Sequence, residues 1–391
     1  MRILMYSHDS YGLGHLRRTL ALAEAFVERD SDTSVLILTG STVSGTYRMS
    51  MGIDLLKLPS AVKVGNGIYE PSRMSVSFAL LRGLRSHIVQ STAESFAPDV
   101  FIVDKAPLGM KGEVEATLAY LREELPDTLS VLGLRDVMDD PDRVRKSWAE
   151  EHIPEAVEEY YDLVLVYGPR EIYDPLPQYG LSAETLERAH YVGYFGKKRT
   201  PSPTLDLPFT PGYVLVTPGG GGDGFELVRT YLEGLARSTP DFDSLVVTGP
   251  LMEEGDIRRV ERLARGLRVQ VAEFRPDMEN LIQGSGAVVA MGGYNTTTEL
   301  LASRKPALIV PRVEPRVEQL IRAERLAKMG LIDMIHPNDV TPELMRHKVE
   351  DLLEDGHRSR VRVQVDLSGA ERAVQLVCSC ARLRRRLTVG V

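Results

Sequence analysis

Two kinds of residue in this chain could do chemistry: a histidine that closes a glycine loop, and glycines set where strands hand over to helices. His15 ends the loop His8-Asp-Ser-Tyr-Gly-Leu-Gly-His15, directly after a β-type run at Arg2–Ser7. An imidazole with its ordinary pKa of about 6.5 can take the proton of a hydroxyl near neutrality. The plainer alternative for His15 is a helix-start histidine bonded to its own loop. His8, Asp9 and Ser10 are expected to help line the pocket at this strand end. The second feature is Val289–Glu299, Val-Ala-Met-Gly-Gly-Tyr-Asn-Thr-Thr-Thr-Glu, which follows an apolar run at Ala287–Ala290. A strand, a glycine turn at Gly292-Gly293 and a helix N-terminus make an anion site, because the first N–H groups are free and the helix dipole points its positive end outward.

A third glycine stretch, Pro218-Gly-Gly-Gly-Gly-Asp-Gly224, follows the strand-like Tyr213–Thr217. None of these loops is a P-loop, since no Gly-Lys-Ser/Thr follows the Gly219–Gly222 run. Gly12-x-Gly14 also fails to complete the dinucleotide fingerprint, with Arg17 where the last glycine belongs. An ATPase and an ordinary nicotinamide enzyme are therefore unsupported. Glu299 has two readings. Thr296-x-x-Glu299 is a capping box; alternatively the carboxylate accepts hydrogen bonds from ribose hydroxyls, as acidic residues do in nucleotide-binding α/β sites. Glu318 and Gln319, by local sequence, are exposed helix polars. Asp139, Asp140 and Asp142 flank Pro141 and read as a helix start. No metal site and no cofactor is expected.

The elements that must position these residues alternate along the chain. Strand-like runs at Ser34–Leu38, Val100–Val103, Ser130–Leu134 and Leu163–Val166 are separated by helical patterns at Ser75–Glu94, Glu113–Glu124 and Arg143–Tyr160. After a proline-rich, aperiodic stretch the pattern restarts. Strands are expected at Tyr213–Thr217, Leu245–Thr248, Val269–Ala272, Ala287–Ala290 and Ala307–Val310, each followed by a helix. The expected organisation is a first α/β domain at 1–195, a linker at 196–212, a second α/β domain at 213–370 and a basic tail at 371–391. From Glu343 the tail reads as helical, with Thr341 as cap and Pro342 in the first helical position. In open parallel sheets ligands bind beyond the carboxyl ends of the strands, so two such domains would carry glycine loops on both walls of a cleft.

Composition excludes several classes. With 26% charged and 43% apolar residues the chain is that of a soluble globular protein. A net charge of −8 argues against general nucleic-acid binding. There is no apolar run of about 18 residues to span a membrane, and Asp9 interrupts any signal-like start. Cys378 and Cys380 have neither zinc nor redox spacing and read as ordinary thiols. A cytoplasmic location is expected, with the inner face of the membrane as the alternative. Arg382, Arg384, Arg385 and Arg386 could touch anionic lipid, stay solvated or fold back on the protein. Met74–Ile88, with Arg82 and Arg85 among apolar residues, is either a lipid or acceptor wall or an amphipathic core helix.

In order along the chain stand Phe274-Arg-Pro-Asp-Met, Met291-Gly-Gly-Tyr-Asn-Thr-Thr-Thr-Glu-Leu-Leu-Ala, Lys305-Pro-Ala-Leu-Ile-Val-Pro, Glu318-Gln, and Ala323-Glu-Arg-Leu-Ala-Lys-Met-Gly. This ordered set resembles the GT-B-fold glycosyltransferases. It is most similar to the inverting, UDP-N-acetylglucosamine-using family of lipid-linked peptidoglycan precursor synthesis. Gly12-Leu-Gly-His-Leu-Arg-Arg18 looks like that family's N-terminal glycine loop. Much of Val43–Ala97 has no matching counterpart. The resemblance implies two Rossmann-like parallel-sheet domains facing across a cleft. Phe274 would flank the nucleotide base, Gly292 and Gly293 would offer amides to the diphosphate, and Gly219, Gly220 and Gly221 would add phosphate contacts. Glu299 would hold ribose, leaving Thr296 to cap its helix alone, and Gln319 would face the donor sugar. Asn295, Thr296 and Glu318 complete the donor side, while His8, Gly12, Gly14 and Asp104 line the acceptor side around His15 as base.

Two departures from the peptidoglycan enzymes stand out. Met291-Gly292 replaces their arginine-serine pair, and the first glycine loop of the second domain lacks their serine. An uncharacterised branch of predicted glycosyltransferases fits better than the peptidoglycan reaction itself. The expected reaction is a metal-independent, inverting transfer from a nucleotide sugar, UDP-linked, to a hydroxyl acceptor, with no nucleic-acid partner. The alternatives are a UDP-sugar 2-epimerase of the same fold and a non-catalytic nucleotide-sugar-binding protein.

Overall fold

The computed structural model describes residues 1–8, 14–42, 49–65, 68–196, 210–238, 240–275, 277–354 and 364–389. It separates into two compact units, Met1–Phe195 with Asp366–Val391, and Gly196–Val365.

The first unit alternates β1 (Arg2–Ser7), α1 (Gly14–Arg29), β2 (Ser34–Thr39) and β3 (Ile53–Lys57). A small antiparallel hairpin follows, β4 (Ala61–Gly65) and β5 (Ile68–Pro71). Then come α2 (Phe78–Phe96), β6 (Val100–Asp104), α3 (Glu115–Glu124) and β7 (Leu129–Arg135). α4 (Pro141–Glu150), α5 (Ile153–Tyr160), β8 (Leu163–Tyr167), α6 (Ala183–Glu187) and β9 (Ala189–Tyr191) complete that stretch. Seven strands form one parallel sheet in the order β3-β2-β1-β6-β7-β8-β9. Every residue of β6 and β8 is buried, which is why these strands read as unbroken apolar runs: helices cover both faces.

Three details differ from the sequence reading. β3 and β9 are edge strands, short and partly exposed, so pairing with a neighbour decides them rather than their own pattern. The single helix expected over Arg143–Tyr160 is two, because His152 adopts a left-handed backbone (φ 51°) and Pro154 sits in the first turn of α5. In α2, Arg85 is fully buried and ion-paired, so it belongs to the core and not to a lipid-facing wall, although Leu80 and Leu84 of the same helix are exposed.

The second unit runs β10 (Val214–Thr217), α7 (Phe225–Ala236), β11 (Ser244–Val247), α8 (Glu254–Ala264), β12 (Val269–Ala272) and α9 (Met278–Gly284). It continues with β13 (Ala287–Ala290), α10 (Tyr294–Ser303), β14 (Ala307–Ile309), α11 (Glu318–Lys328), β15 (Asp333–Met334) and α12 (Pro342–Glu354). Its six parallel strands are ordered β12-β11-β10-β13-β14-β15. Thr341 accepts from the Leu344 N–H at 3.1 Å and caps α12 as its sequence suggests.

Residues 197–209 of the expected linker lie outside the described residues. The expected end of the second domain at 370, with a separate tail, also differs from the observed grouping. The last helix, α13 (Gly369–Val389), belongs to the first unit and packs on α1, β7 and β8. Ala370, Ala373, Val374, Val377, Cys378 and Ala381 are buried along one stripe of it. Arg384 donates to the Pro126 carbonyl at 2.7 Å and pairs with Asp162, and Arg385 pairs with Asp99. These two basic residues fold back on the protein instead of forming a free tail.

Candidate active site

In the first sheet β1 pairs with β2 on one side and β6 on the other, so the strand order reverses between β1 and β6. That is the topological switch point, where the carboxyl ends of the strands leave a crevice. His8 follows β1, Asp104 ends β6, and α1 enters at Gly14 with His15 its second residue. Arg18 lies one turn further along α1 and points the same way.

These side chains form one group, with His8, Arg18 and Asp104 buried and His15 part-buried. His15 Nδ1 lies 2.6 Å from Asp104 Oδ2. Arg18 donates to both carboxylate oxygens, with Nη2 at 2.7 Å from each and Nε at 3.0 Å from Oδ1. Arg18 also lies over the Tyr167 ring, 5.5 Å from its centroid. The His8 ring meets the His15 ring edge-on at 5.9 Å. Burial is the largest influence on His15 and pushes its pKa down to about 3; Lys105 and Arg18 act the same way, against the opposing pull of Asp104. Burial would raise the Asp104 pKa, but Arg18 and the His15 hydrogen bond more than reverse this and hold the carboxyl well below the usual range. With Nδ1–H donating to Asp104, Nε2 is left as the basic atom.

In the second sheet the order reverses between β10 and β13. Their carboxyl ends lead into the glycine stretch from Gly219 and into Gly292-Gly293. Gly292 has φ 81°, and a Cβ on it would come within 2.8 Å of Ile309 Cγ2. Gly293 is the N-cap of α10, and a Cβ there would meet nothing within 4 Å. The first position needs glycine for backbone and space; the second leaves open room beside a helix N-terminus. Gly219 (φ 84°) lies near α10, since its Cβ would stand 3.7 Å from Thr296 Oγ1. Gly221 and Gly249 press backbone on backbone: added Cβ atoms would come within 2.2 Å of the Thr248 carbonyl and 2.4 Å of the Gly219 carbonyl, respectively.

The capping box is not formed. α10 begins at Tyr294, three residues after Met291, so Thr296 sits inside the first turn and does not cap. Glu299 lies in the second turn of that helix and is half-buried. Asn295 and Thr296 occupy the first turn of α10, and Phe274, after β12, is 51% exposed. Glu318 and Gln319 are not exposed polars: both are buried at the start of α11. Gln319 Oε1 accepts from the Arg312 backbone N–H at 3.0 Å, and Glu318 Oε1 accepts from Arg312 Nη2 at 2.6 Å. Arg322, also buried, donates to the Gly292 carbonyl at 3.3 Å. Gly12 and Asp9 lie outside the described residues.

Sequence reasoning missed Arg18, Gly249, Arg312 and Arg322. Arg18 was within reach, since it stands three residues after His15 and so on the same helix face. Arg312 gives no local signal, because its partner Asp223 lies 89 residues away in the glycine loop after β10, while Glu318 stands at the start of α11.

Residues 214–376 match the glycosyltransferase family 28 C-terminal domain. The chain is 30% identical over 171 residues to an uncharacterized glycosyltransferase of Methanopyrus kandleri, covering 44% of this chain and 46% of that protein. It is 28% identical over 176 residues to an Anaeromyxobacter UDP-N-acetylglucosamine–N-acetylmuramyl-(pentapeptide) pyrophosphoryl-undecaprenol N-acetylglucosamine transferase, covering 43% of this chain and 45% of that one. These matches span about half the length of those relatives. An uncharacterized glycosyltransferase of Methanosarcina mazei is 23% identical over 367 residues, 90% of each chain. Among solved structures, the glycotransferase of kitacinnamycin superposes with a TM-score of 0.65 at 18% identity, covering 98% of each chain. Acinetobacter baumannii MurG superposes with a TM-score of 0.61 at 13% identity, covering 97% of this chain and 99% of that one. Residues 214–376 are thus similar to a glycosyltransferase family 28 C-terminal domain, and the chain has the two-domain α/β fold of the GT-B glycosyltransferases.

Proposed function

We propose that the protein is an inverting glycosyltransferase that moves a sugar from a nucleotide donor, UDP-linked, to a hydroxyl acceptor. The observation that carries the reading is the buried His15–Asp104–Arg18 group at the switch point of the first sheet. A neutral imidazole fixed through Nδ1 presents Nε2 as a general base for the acceptor hydroxyl. The relatives of the second unit include transferases whose names specify a UDP-N-acetylglucosamine donor, which favours a uridine diphosphate leaving group there. The Gly292-Gly293 turn at the start of α10 supplies amides and a dipole for that diphosphate, with no metal required in this scheme. Glu299 is proposed for the ribose, Gln319 for the donor sugar and Phe274 for the base.

In one displacement the acceptor oxygen bonds to the anomeric carbon as the bond to the diphosphate oxygen breaks. The acceptor proton passes to His15 Nε2, and the diphosphate leaves with the bonding electron pair. Attack from the face opposite the leaving group inverts the anomeric centre.

The test is turnover of a UDP-sugar panel by the wild type and His15→Ala, with product analysis. The variant should lose about a hundredfold to ten-thousandfold in turnover, the range for a lost general base, while its melting curve stays cooperative. Unchanged turnover would remove His15 as the base. An isomerised free donor made without any acceptor would replace transfer with epimerisation.

A further inference from the structure

The loop after β14 sends one side chain across the sheet end. Arg312 Nη1 donates to Asp223 Oδ2 at 3.0 Å, and Asp223 lies in the glycine loop after β10. Between β10 and β14 in the sheet stands β13, whose carboxyl end carries Gly292 and Gly293. An ion pair that joins the outer two loops spans the position of the middle strand in the sheet. Neighbouring strands are about 4.8 Å apart, so the span is about 10 Å, within reach of an arginine and an aspartate together.

The two arms of Arg312 differ. Towards α11 the partner is Glu318, whose side chain is 4% exposed, with Nη2 at 2.6 Å from Oε1. The Arg312 backbone N–H is also tied to Gln319 Oε1. Towards the glycine loop the partner is Asp223, whose side chain is 46% exposed. A buried, charge-assisted contact holds its partner firmly, whereas a solvent-facing ion pair contributes little and exchanges readily. One arm is an anchor and the other is replaceable.

We propose that Arg312 is a phosphate ligand of the donor site: it exchanges Asp223 for oxygens of the donor diphosphate while Glu318 keeps the guanidinium aimed across the Gly292-Gly293 turn. This rests on the reading that the second unit takes a nucleoside diphosphate sugar. A guanidinium matches phosphate oxygens with paired N–H donors, and it adds a full charge beside the amides of the glycine turn. Asp223 competes for that charge until the diphosphate arrives, and the freed carboxylate returns to water. The loop is thereby coupled to donor occupancy.

Substitutions of the two partners in this ion pair should change donor binding with opposite signs. Equilibrium titrations with UDP and with uridine would compare the wild type, Arg312→Gln, Arg312→Lys and Asp223→Asn. Arg312→Gln should weaken UDP about tenfold or more, change uridine by less than about twofold, and be partly rescued by Arg312→Lys. Asp223→Asn should tighten UDP by about twofold to fivefold, the worth of an exposed pair removed from competition. Weaker UDP binding by Asp223→Asn, or equal losses for UDP and uridine in Arg312→Gln, would overturn the role of Arg312. If Arg312→Gln fails to fold, the Asp223→Asn sign still decides. Wild-type protein that binds neither UDP nor uridine would remove the donor-site reading, and this proposal with it.

Discussion

His15 and Asp104 are joined by a short contact, yet their protonation is set by what surrounds the pair. Arg18 touches both oxygens of Asp104 and lies 3.0 Å from His15 Nδ1. The carboxylate is therefore already neutralised, and burial disfavours an imidazolium beside a guanidinium. Because the His15 pKa is depressed to about 3, the acid limb of a pH–rate profile should fall well below pH 6.5. A limb centred near 6.5 would show an unperturbed base. The same shift has a linkage consequence. The unfolded chain takes up the histidine proton below about pH 6.5 while the folded chain does not, so this contribution to stability is complete above 6.5 and is lost as pH falls towards 3. Urea midpoints should decline between pH 6.5 and 4.5 more steeply in the wild type than in His15→Gln. Asp104→Asn would leave Arg18 buried without its carboxylate and should cost about 3 to 5 kcal/mol. His15 was legible because a loop histidine before a helix is a local pattern. Its partner Asp104, 89 residues away, was named beside it through the family resemblance and not by any spacing argument.

The elements around the sites are held by a second buried group and by backbone geometry. Tyr6 of β1 donates to Glu113 at 2.5 Å, and Arg85 of α2 donates to both Glu113 oxygens at 2.7 and 2.6 Å and to the Pro59 carbonyl at 2.6 Å. This cluster ties β1, α2 and the segments before β4 and α3. Glu113→Ala should cost about 3 to 5 kcal/mol in a denaturant titration, because it strands a buried guanidinium; a change below 1 kcal/mol would contradict a structural role. The two adjacent glycines should separate sharply. Gly292→Ala meets Ile309 in a backbone region unsuited to alanine and should destabilise by more than about 1 kcal/mol. Gly293→Ala has open space and should cost less than that, while the methyl group intrudes where the diphosphate is proposed to lie and weakens UDP binding. The central strands were legible as apolar runs, and the start of α12 as a threonine followed by proline. The start of α10 was misread, because Thr296-x-x-Glu299 matches a capping box but the glycine turn lets the helix begin earlier. β3 and β9 were invisible because they are short, partly exposed edge strands without a continuous apolar run.

At the scale of the whole molecule, the last helix belongs to the first domain although it follows the second in sequence. A stripe of small and apolar residues on α13 packs against α1, and two of its arginines pair with Asp99 and Asp162. Removing residues 366–391 should therefore lower the hydrogen-exchange protection of β1, β7 and β8 and leave that of β10 and β13 unchanged. Loss confined to the second unit would contradict the assignment. For the arginine-rich end the sequence left lipid contact, a solvated tail and folding back on the protein open; Arg384 and Arg385 fold back, onto aspartate partners that local sequence could not identify. The two-domain α/β organisation, by contrast, was readable from the repeated alternation of strand and helix patterns.

The second unit is proposed to cradle the diphosphate of a nucleotide sugar. A thermal-shift panel of nucleotides and nucleotide sugars tests it most directly, because a ligand selective for the folded state raises the melting point. A rise is expected with UDP and with at least one UDP-sugar, larger than with uridine. A panel in which no nucleoside diphosphate shifts the melting point would contradict it.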